Sequence, residues 1–275
     1  MRRLIVAGTG LFIVFVASGC STVPLSDGTT LTSAGQLTAS KGKFTKTRTF
    51  VDTGSLAAVR TVAIIPTTFS FAASSRIKDP RDRSLVANAL DRAVCVALSD
   101  RFEIVPAGQP ADLTVRAVVA GVVPTNKAAA GVATAVSLGS SFALPVSVPR
   151  LPIGLGGLAV EAEAVDYSGT PRAAVLWSKG ANSFTNKPRV SEVGDAYGLA
   201  NNFGKYFARM LSTGQEPKSM DLSLPSGQSM RSAMGGKPKY AACEAFGRAP
   251  GIAGALATQV GAPPQWTDKQ PQPQR

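Results

Sequence analysis

Histidine is absent from this 275-residue sequence. Its absence removes the Ser-His-Asp triad, the Cys-His dyad, His-ligated zinc and the imidazole base from anything the chain does with its own side chains. Aromatic residues are scarce at 7%, while glycine and proline number 27 and 19. Few large apolar groups and many helix and strand breakers predict loop or tail outside the core. Acidic residues are outnumbered 17 to 29 by basic ones, a net charge of +12. Long apolar runs are missing after the first twenty residues, so no later segment reads as a transmembrane helix. The length suits one good-sized domain with appendages.

The N-terminus does carry an apolar run. Arg2 and Arg3 precede 16 uncharged residues, Leu4 to Gly19. A membrane span needs about 20 apolar residues, and this shorter stretch suits a signal-peptide core. It ends Val16-Ala17-Ser18-Gly19-Cys20, which resembles the lipobox of bacterial lipoproteins, with Ala17 where leucine is usual. The resemblance implies cleavage before Cys20 and lipidation of that cysteine. More than one acyl chain holds a protein stably where one alone does not, so no transmembrane helix is needed. Ser21 in place of an aspartate points to the outer membrane, facing the periplasm. Loss of the leader takes Arg2 and Arg3 with it, leaving +10. An exported protein has little access to nucleic acid, so the surplus is read as a solvated surface or as attraction to anionic headgroups.

The expected organisation is a signal peptide over 1–19, the lipidated cysteine and a flexible tether over 20–50, a domain over 51–214, and a mostly disordered tail over 215–275. Within the domain, 126–157 reads as a long Gly/Ala/Ser/Pro-rich insertion. About 24 tether residues from Ser21 to Phe44, at roughly 5–6 Å × √n, would give a reach of about 27 Å. Strands are predicted at Arg60–Pro66, Phe102–Val105, Leu113–Val123, Leu158–Tyr167 and Ala173–Lys179, the last two joined by the turn Ser168-Gly169-Thr170-Pro171. Helices are predicted over Arg83–Phe102 and from a Ser191 cap to Leu211, stopped by Gly214. The expected fold is α+β: a mainly antiparallel sheet with two helices packed on one face.

Several constellations test for chemistry. Glu161 and Glu163 share a strand face about 6.6 Å apart, a spacing of interest for glycoside hydrolysis. Alternation with Val160, Ala162 and Ala164 places them on the solvent side. Ser75-Arg76-Ile77-Lys78 matches S-x-x-K, but the S-D-N and K-T-G partners that would make it meaningful are absent from the sequence. No phosphate loop occurs and no Cys or acidic cluster has metal-site spacing, so no catalytic, cofactor or metal residues are assigned. With Cys20 taken by lipid, Cys95 and Cys243 remain as a candidate disulfide in a compartment where disulfides persist. Cys95 falls almost opposite the apolar face of its helix, and Cys243 lies in Tyr240–Phe246, the part of the tail with apolar spacing.

The run from Gly156-Gly157 through Glu161-Ala162-Glu163 to Asp166-Tyr167-Ser168-Gly169, taken with Gly194-Asp195-Ala196, the Val62–Pro66 strand and the lipobox, resembles an uncharacterised proteobacterial lipoprotein family. That family is known as domain of unknown function thirty-three thirteen, and the likeness covers roughly residues 20–214. It implies an envelope lipoprotein with an α/β domain and no activity to carry over. The sequence thus predicts a non-enzymatic binding or accessory module in the cell envelope, held to the membrane through acylated Cys20, with other envelope proteins or anionic headgroups as partners. The alternative is an oligomeric component of an envelope export or secretion assembly, with the 126–157 insertion making subunit contacts.

Overall fold

A computed structural model of the chain describes residues 23–143, 153–183, 186–217 and 226–271. In chain order its elements are β1 (Thr45–Val51), α1 (Thr53–Leu56), β2 (Thr61–Ile64), β3 (Thr68–Phe69), α2 (Phe71–Arg76), α3 (Pro80–Leu98), β4 (Glu103–Val105), β5 (Leu113–Val123), α4 (Lys127–Ala143), β6 (Gly157–Asp166), β7 (Pro171–Gly180), α5 (Gly194–Thr213), α6 (Gly227–Ala233) and α7 (Gly251–Gln259). None of the described helices is long and apolar enough to cross a membrane.

The strands form one sheet in the order β1-β7-β6-β5-β2-β4, with β3 also pairing β5. The sheet is mixed, which corrects the expectation of a mainly antiparallel one. β1, β7, β6 and β5 pair antiparallel, with β6 and β7 joined by the tight turn over residues 167–170. β2 runs parallel to both β4 and β5, and β3 parallel to β5. The cause is the helix between them: a strand, a 19-residue helix and a strand form a crossover, and a crossover returns the chain parallel.

α3 begins three residues before the predicted start. Asp79 accepts a hydrogen bond from the Arg81 amide at 2.8 Å and Pro80 occupies the first turn, where its missing N–H costs nothing. Ser191 does not cap α5. That helix starts at Gly194 without a side-chain cap, and the Ser191 hydroxyl instead accepts a hydrogen bond from Gln265. Gly214 ends α5 in the left-handed conformation at φ 63°, as predicted.

Leu85, Leu90 and Leu98 of α3 and Phe203 and Phe207 of α5 pack on the sheet face that carries Val62, Val115, Val160 and Val175. The Trp177 ring meets Phe203 edge-on at 5.6 Å, and Phe203 stacks on Phe207 at 5.7 Å. The two helices touch closely because α5 has Gly204 at the crossing. A Cβ there would lie 2.6 Å from the Ala93 backbone carbon. Between the helix layer and the β2–β3 loop, Asp91 accepts hydrogen bonds from the Thr67 amide and hydroxyl. Burial pushes its carboxyl up to about 7 despite those bonds.

Two appendages are ordered where the sequence predicted flexibility. Residues 23–44 are not a free tether. Val23, Leu31 and Leu37 are buried, and Leu31 and Leu37 pack with Ala174 and Leu176 on the sheet face opposite the helices. β1 continues this cover, its threonines 45, 47 and 49 fitting the β-branched preference of a strand. Residues 226–271 are not a disordered tail. They form α6, a 3-10 turn at Ala241–Phe246, α7 and a second 3-10 turn at Pro264–Trp266. Within the 126–157 insertion, α4 occupies Lys127–Ala143, an alanine-rich stretch of high helix propensity. Residues 144–152 lie outside the described residues.

Candidate functional site

α3 carries a second stripe beside its core stripe, Ala89, Arg92, Cys95 and Val96, continued by Ser99 just past the helix end. In an isolated sandwich this stripe would face water. Here the C-terminal segment covers it. Cys95 and Cys243 are bonded as a disulfide with their Cα atoms 5.7 Å apart, and both are buried. The Lys239 ammonium donates to the Ser99 carbonyl at 3.1 Å, and Ser226 donates to Asp100 beyond the end of the helix. Further along, Arg92 donates to the Phe246 carbonyl at 3.1 Å and forms an ion pair with Asp268 at 2.6 Å. The Tyr197 hydroxyl donates to the same Asp268 oxygen. Burial and the nearby Asp268 carboxylate push that phenol well above its ordinary range, so Tyr197 is a permanent donor.

The cover does not close the space completely. A cavity of about 400 Å³ lies between α3, α5 and the C-terminal segment. Ala89, Ala93, Val96 and Ala97 form one wall, Tyr197, Asn201 and Lys205 of α5 a second, and Pro250, Ala255 and Thr258 part of the third. Among the described residues, the charged side chains on it are Arg92, Arg189, Lys205 and Arg248, and no acidic residue lines it. Arg248 is paired with Glu244 at 2.7 Å. Arg189 donates to the Thr258 hydroxyl at 2.6 Å and lies 5.1 Å from the Tyr197 ring centroid. Burial pulls its guanidinium below the ordinary value, opposed through space by Tyr197, Asp268 and Asp195.

The other candidate, Glu161 and Glu163, is closed. Both are buried, not on the solvent side as alternation predicts, because residues 30–33 lie over them. Glu161 accepts the Thr30 amide at 2.9 Å and the Thr30 hydroxyl. Glu163 accepts the Ser33 amide at 2.9 Å, the Ser33 hydroxyl at 2.6 Å and the Thr32 hydroxyl at 2.9 Å, and it pairs with Arg116 across the β5–β6 ladder. Burial alone would raise the Glu163 carboxyl, but the bonds from Ser33, Arg116 and Thr32 outweigh it and the net shift is downward. These carboxylates are spent on holding the N-terminal cover. The Ser75 hydroxyl likewise donates to the Ala72 carbonyl at 2.8 Å, an ordinary bond near a helix end. Cys20 lies outside the described residues.

Arg92, Arg189, Tyr197 and Asp268 were not singled out by sequence reasoning. The available signal was Cys95 on a supposedly polar helix face, because a buried partner for Cys95 implies a cover over Arg92, one turn away. The motifs behind the family likeness also find structural work. At Gly157 a Cβ would lie 2.1 Å from Val23, so the Gly-Gly start of β6 admits the N-terminal cover. Asp166 accepts the Ser168 and Thr170 amides of its turn and pairs with Arg172 at 2.7 Å. Asp195 accepts the Gly156 amide at 2.7 Å and the Thr125 hydroxyl at 3.0 Å, tying the α5 start to the sheet.

Among solved structures, two PelC dodecamers from Paraburkholderia phytofirmans are similar to the chain. One, in space group P6, is 11% identical with a TM-score of 0.36, over 63% of this chain and 99% of that one. The other, a point variant in space group C2, is 13% identical with a TM-score of 0.31, over 62% and 99%. Likenesses at that level bear on neither assembly nor activity here. No curated protein matches the chain in sequence. The model of the protein family of unknown function DUF3313 matches residues 29–207, which take in most of the N-terminal cover, the sheet, α3 and the greater part of α5 but not the C-terminal cover. The chain belongs to the DUF3313 family.

Proposed function

We propose that this protein is a lipid-anchored envelope lipoprotein whose domain acts as a non-enzymatic binding module on the periplasmic side of the outer membrane. The observation that carries the binding role is the cavity, a formed space with cationic groups and, among the described residues, no acid on its wall. The non-enzymatic reading is supported by the glutamate pair, whose oxygens are taken up by Thr30, Thr32, Ser33 and Arg116.

The anchor reading rests on the leader and on Cys20. The fold adds a geometric consequence. Val23 is buried and its carbonyl accepts the Ser178 hydroxyl at 3.0 Å. Three residues from an acylated Cys20 to Val23 span at most about 10 Å. The domain would then rest against the bilayer surface and not stand about 27 Å away from it.

Replacing Cys20 with alanine tests the anchor. Palmitate labelling should vanish and the protein should leave the membrane pellet. A variant that still labels and still pellets overturns the reading. Size-exclusion chromatography of the acyl-free chain tests the module: a monomer is expected, and a ring-sized species would overturn it in favour of an assembly component.

A further inference from the structure

The cavity beneath the C-terminal cover has a lining that selects for charge as well as shape. We propose that it binds an amphiphilic anion, a molecule with a short hydrocarbon portion and one carboxylate or phosphate group. This names the ligand class of the binding module proposed above and rests on that reading.

Size is the first observation. A volume of about 400 Å³ lies toward the small end of the range for ligand sites, about 300–1,000 Å³. It suits a compact molecule and excludes a folded partner. The second observation is the hydrocarbon wall. Ala89, Ala93, Val96 and Ala97 of α3 face Pro250 and Ala255 of the cover. Small side chains on both sides leave a slot between backbones, and its surface offers a hydrocarbon group burial from water.

The third observation is the charge. Two of the four lining cations are matched by carboxylates, Arg92 by Asp268 and Arg248 by Glu244. Arg189 is held differently. Its hydrogen-bond partner is the neutral Thr258 hydroxyl, it lies over the face of Tyr197, and the Asp268 and Asp195 carboxylates act on it through space. A guanidinium presents five donors in a planar fork, and one bond to a hydroxyl leaves most of them available to a ligand. A carboxylate or phosphate matches that fork with two parallel charge-assisted bonds. Tyr197 and Thr258 fix the plane of Arg189, so little side-chain ordering is required on binding. A cationic amphiphile of the same length would meet Arg189 and Lys205 and, among the described residues, no carboxylate on the wall.

The cover that forms the third wall belongs to this chain beyond the DUF3313 match, which ends at residue 207. Two walls of the site thus lie within the matched residues and the third outside them, stapled in place through Cys243, itself a lining residue.

The test is isothermal titration of the acyl-free mature chain, Cys20→Ala, with four probes: decanoate, decyl phosphate, decyltrimethylammonium and inorganic phosphate. At least one of the two decyl anions should bind at one site, and the preferred one identifies the headgroup. Decyltrimethylammonium should bind at least about tenfold more weakly, and inorganic phosphate should give no measurable heat. Arg189→Gln should weaken the anion at least about tenfold, the scale of a lost charged hydrogen bond. Ala255→Phe fills the slot from an exposed rim position, where the fold tolerates it, and should abolish binding of every probe. Equal affinity for decyltrimethylammonium, or full affinity in Arg189→Gln, overturns the ligand class while leaving a cavity that binds. Failure of every decyl compound to bind overturns both the ligand class and the binding-module reading.

Discussion

The two faces of this sandwich are covered by two segments from opposite ends of the chain, and the covers differ in kind. The N-terminal cover, residues 23–44, lies on the sheet and is held by buried carboxylates that aim upward from β6. Glu161 and Glu163 take amide and hydroxyl protons from Thr30, Thr32 and Ser33, and Leu31 and Leu37 close against Ala174 and Leu176. The C-terminal cover, residues 226–271, lies on the helices and is fixed at separate points. These are the Cys95–Cys243 disulfide, the Arg92–Asp268 pair and the Lys239 contact with Ser99, with open space between them. A cover held along its length leaves nothing to bind. A cover held at points leaves a cavity whose lining can be charged. The family match divides the two covers in the same way, including residues 29–44 and stopping before the helix-side segment.

Removing one cover entirely sharpens the contrast most. A chain ending at Pro217 loses the disulfide and leaves Arg92 without its carboxylate. The disulfide contributes about 2–4 kcal/mol and the apolar burial beneath the cover is lost with it, so a loss of at least about 5 kcal/mol in urea unfolding is expected. A melting temperature within a few degrees of the full chain would break the picture of a packed cover.

Glu163→Ala acts on the other face. It leaves the Ser33 and Thr32 donors and the Arg116 cation without their acceptor, and about 3–5 kcal/mol should be lost. Limited proteolysis should then cut within residues 23–44 while sparing 226–271. Cleavage confined to the C-terminal segment would contradict the assignment.

The double replacement Cys95→Ala/Cys243→Ala should cost about 2–4 kcal/mol. Hydrogen exchange should rise over residues 226–259 and stay unchanged over 30–38. On non-reducing gels the intact chain should shift on reduction, and the variant should not. Quantitative alkylation of both thiols without reductant would show that the staple is not closed in solution.

The smallest effect lies between the covers, at Asp91. Its carboxyl is raised to about 7 in the folded chain, against an ordinary value near 4 when unfolded. A raised folded pKa means the folded state holds the proton more tightly. Its contribution is complete below about pH 4 and is lost as the pH climbs through about 7. Stability should therefore increase on acidification from pH 8 to pH 5, and Asp91→Asn should flatten that slope. An unchanged slope in the variant would assign the effect to another group.

Local patterns carried much of the architecture. The β5, β6 and β7 strands, the two long helices and the Gly214 stop follow from runs of apolar residues, turn glycines and period. The mixed sheet was less legible, since β2, α3 and β4 are each readable while their parallel pairing is a property of the crossover. Cys95 and Cys243 stood out because a cysteine on a polar helix face lacks a local reason. Arg189 and Asp268 had no such mark, because a basic residue and an acidic one in breaker-rich segments look solvated until something packs on them.

What the sequence determined by itself is whatever depends on neighbours within a few turns: the α/β order of elements, helix stops and hairpin turns. What only the tertiary structure decided is which faces meet water. Alternation assigns Glu161 and Glu163 to one side of a strand but cannot say that residues 30–33 return to that side. Low aromatic content and many glycines predict loose ends, yet few large residues are needed to bury an end that lies on a finished layer. Burial of that kind depends on contacts between residues more than a hundred positions apart, and no local pattern encodes them.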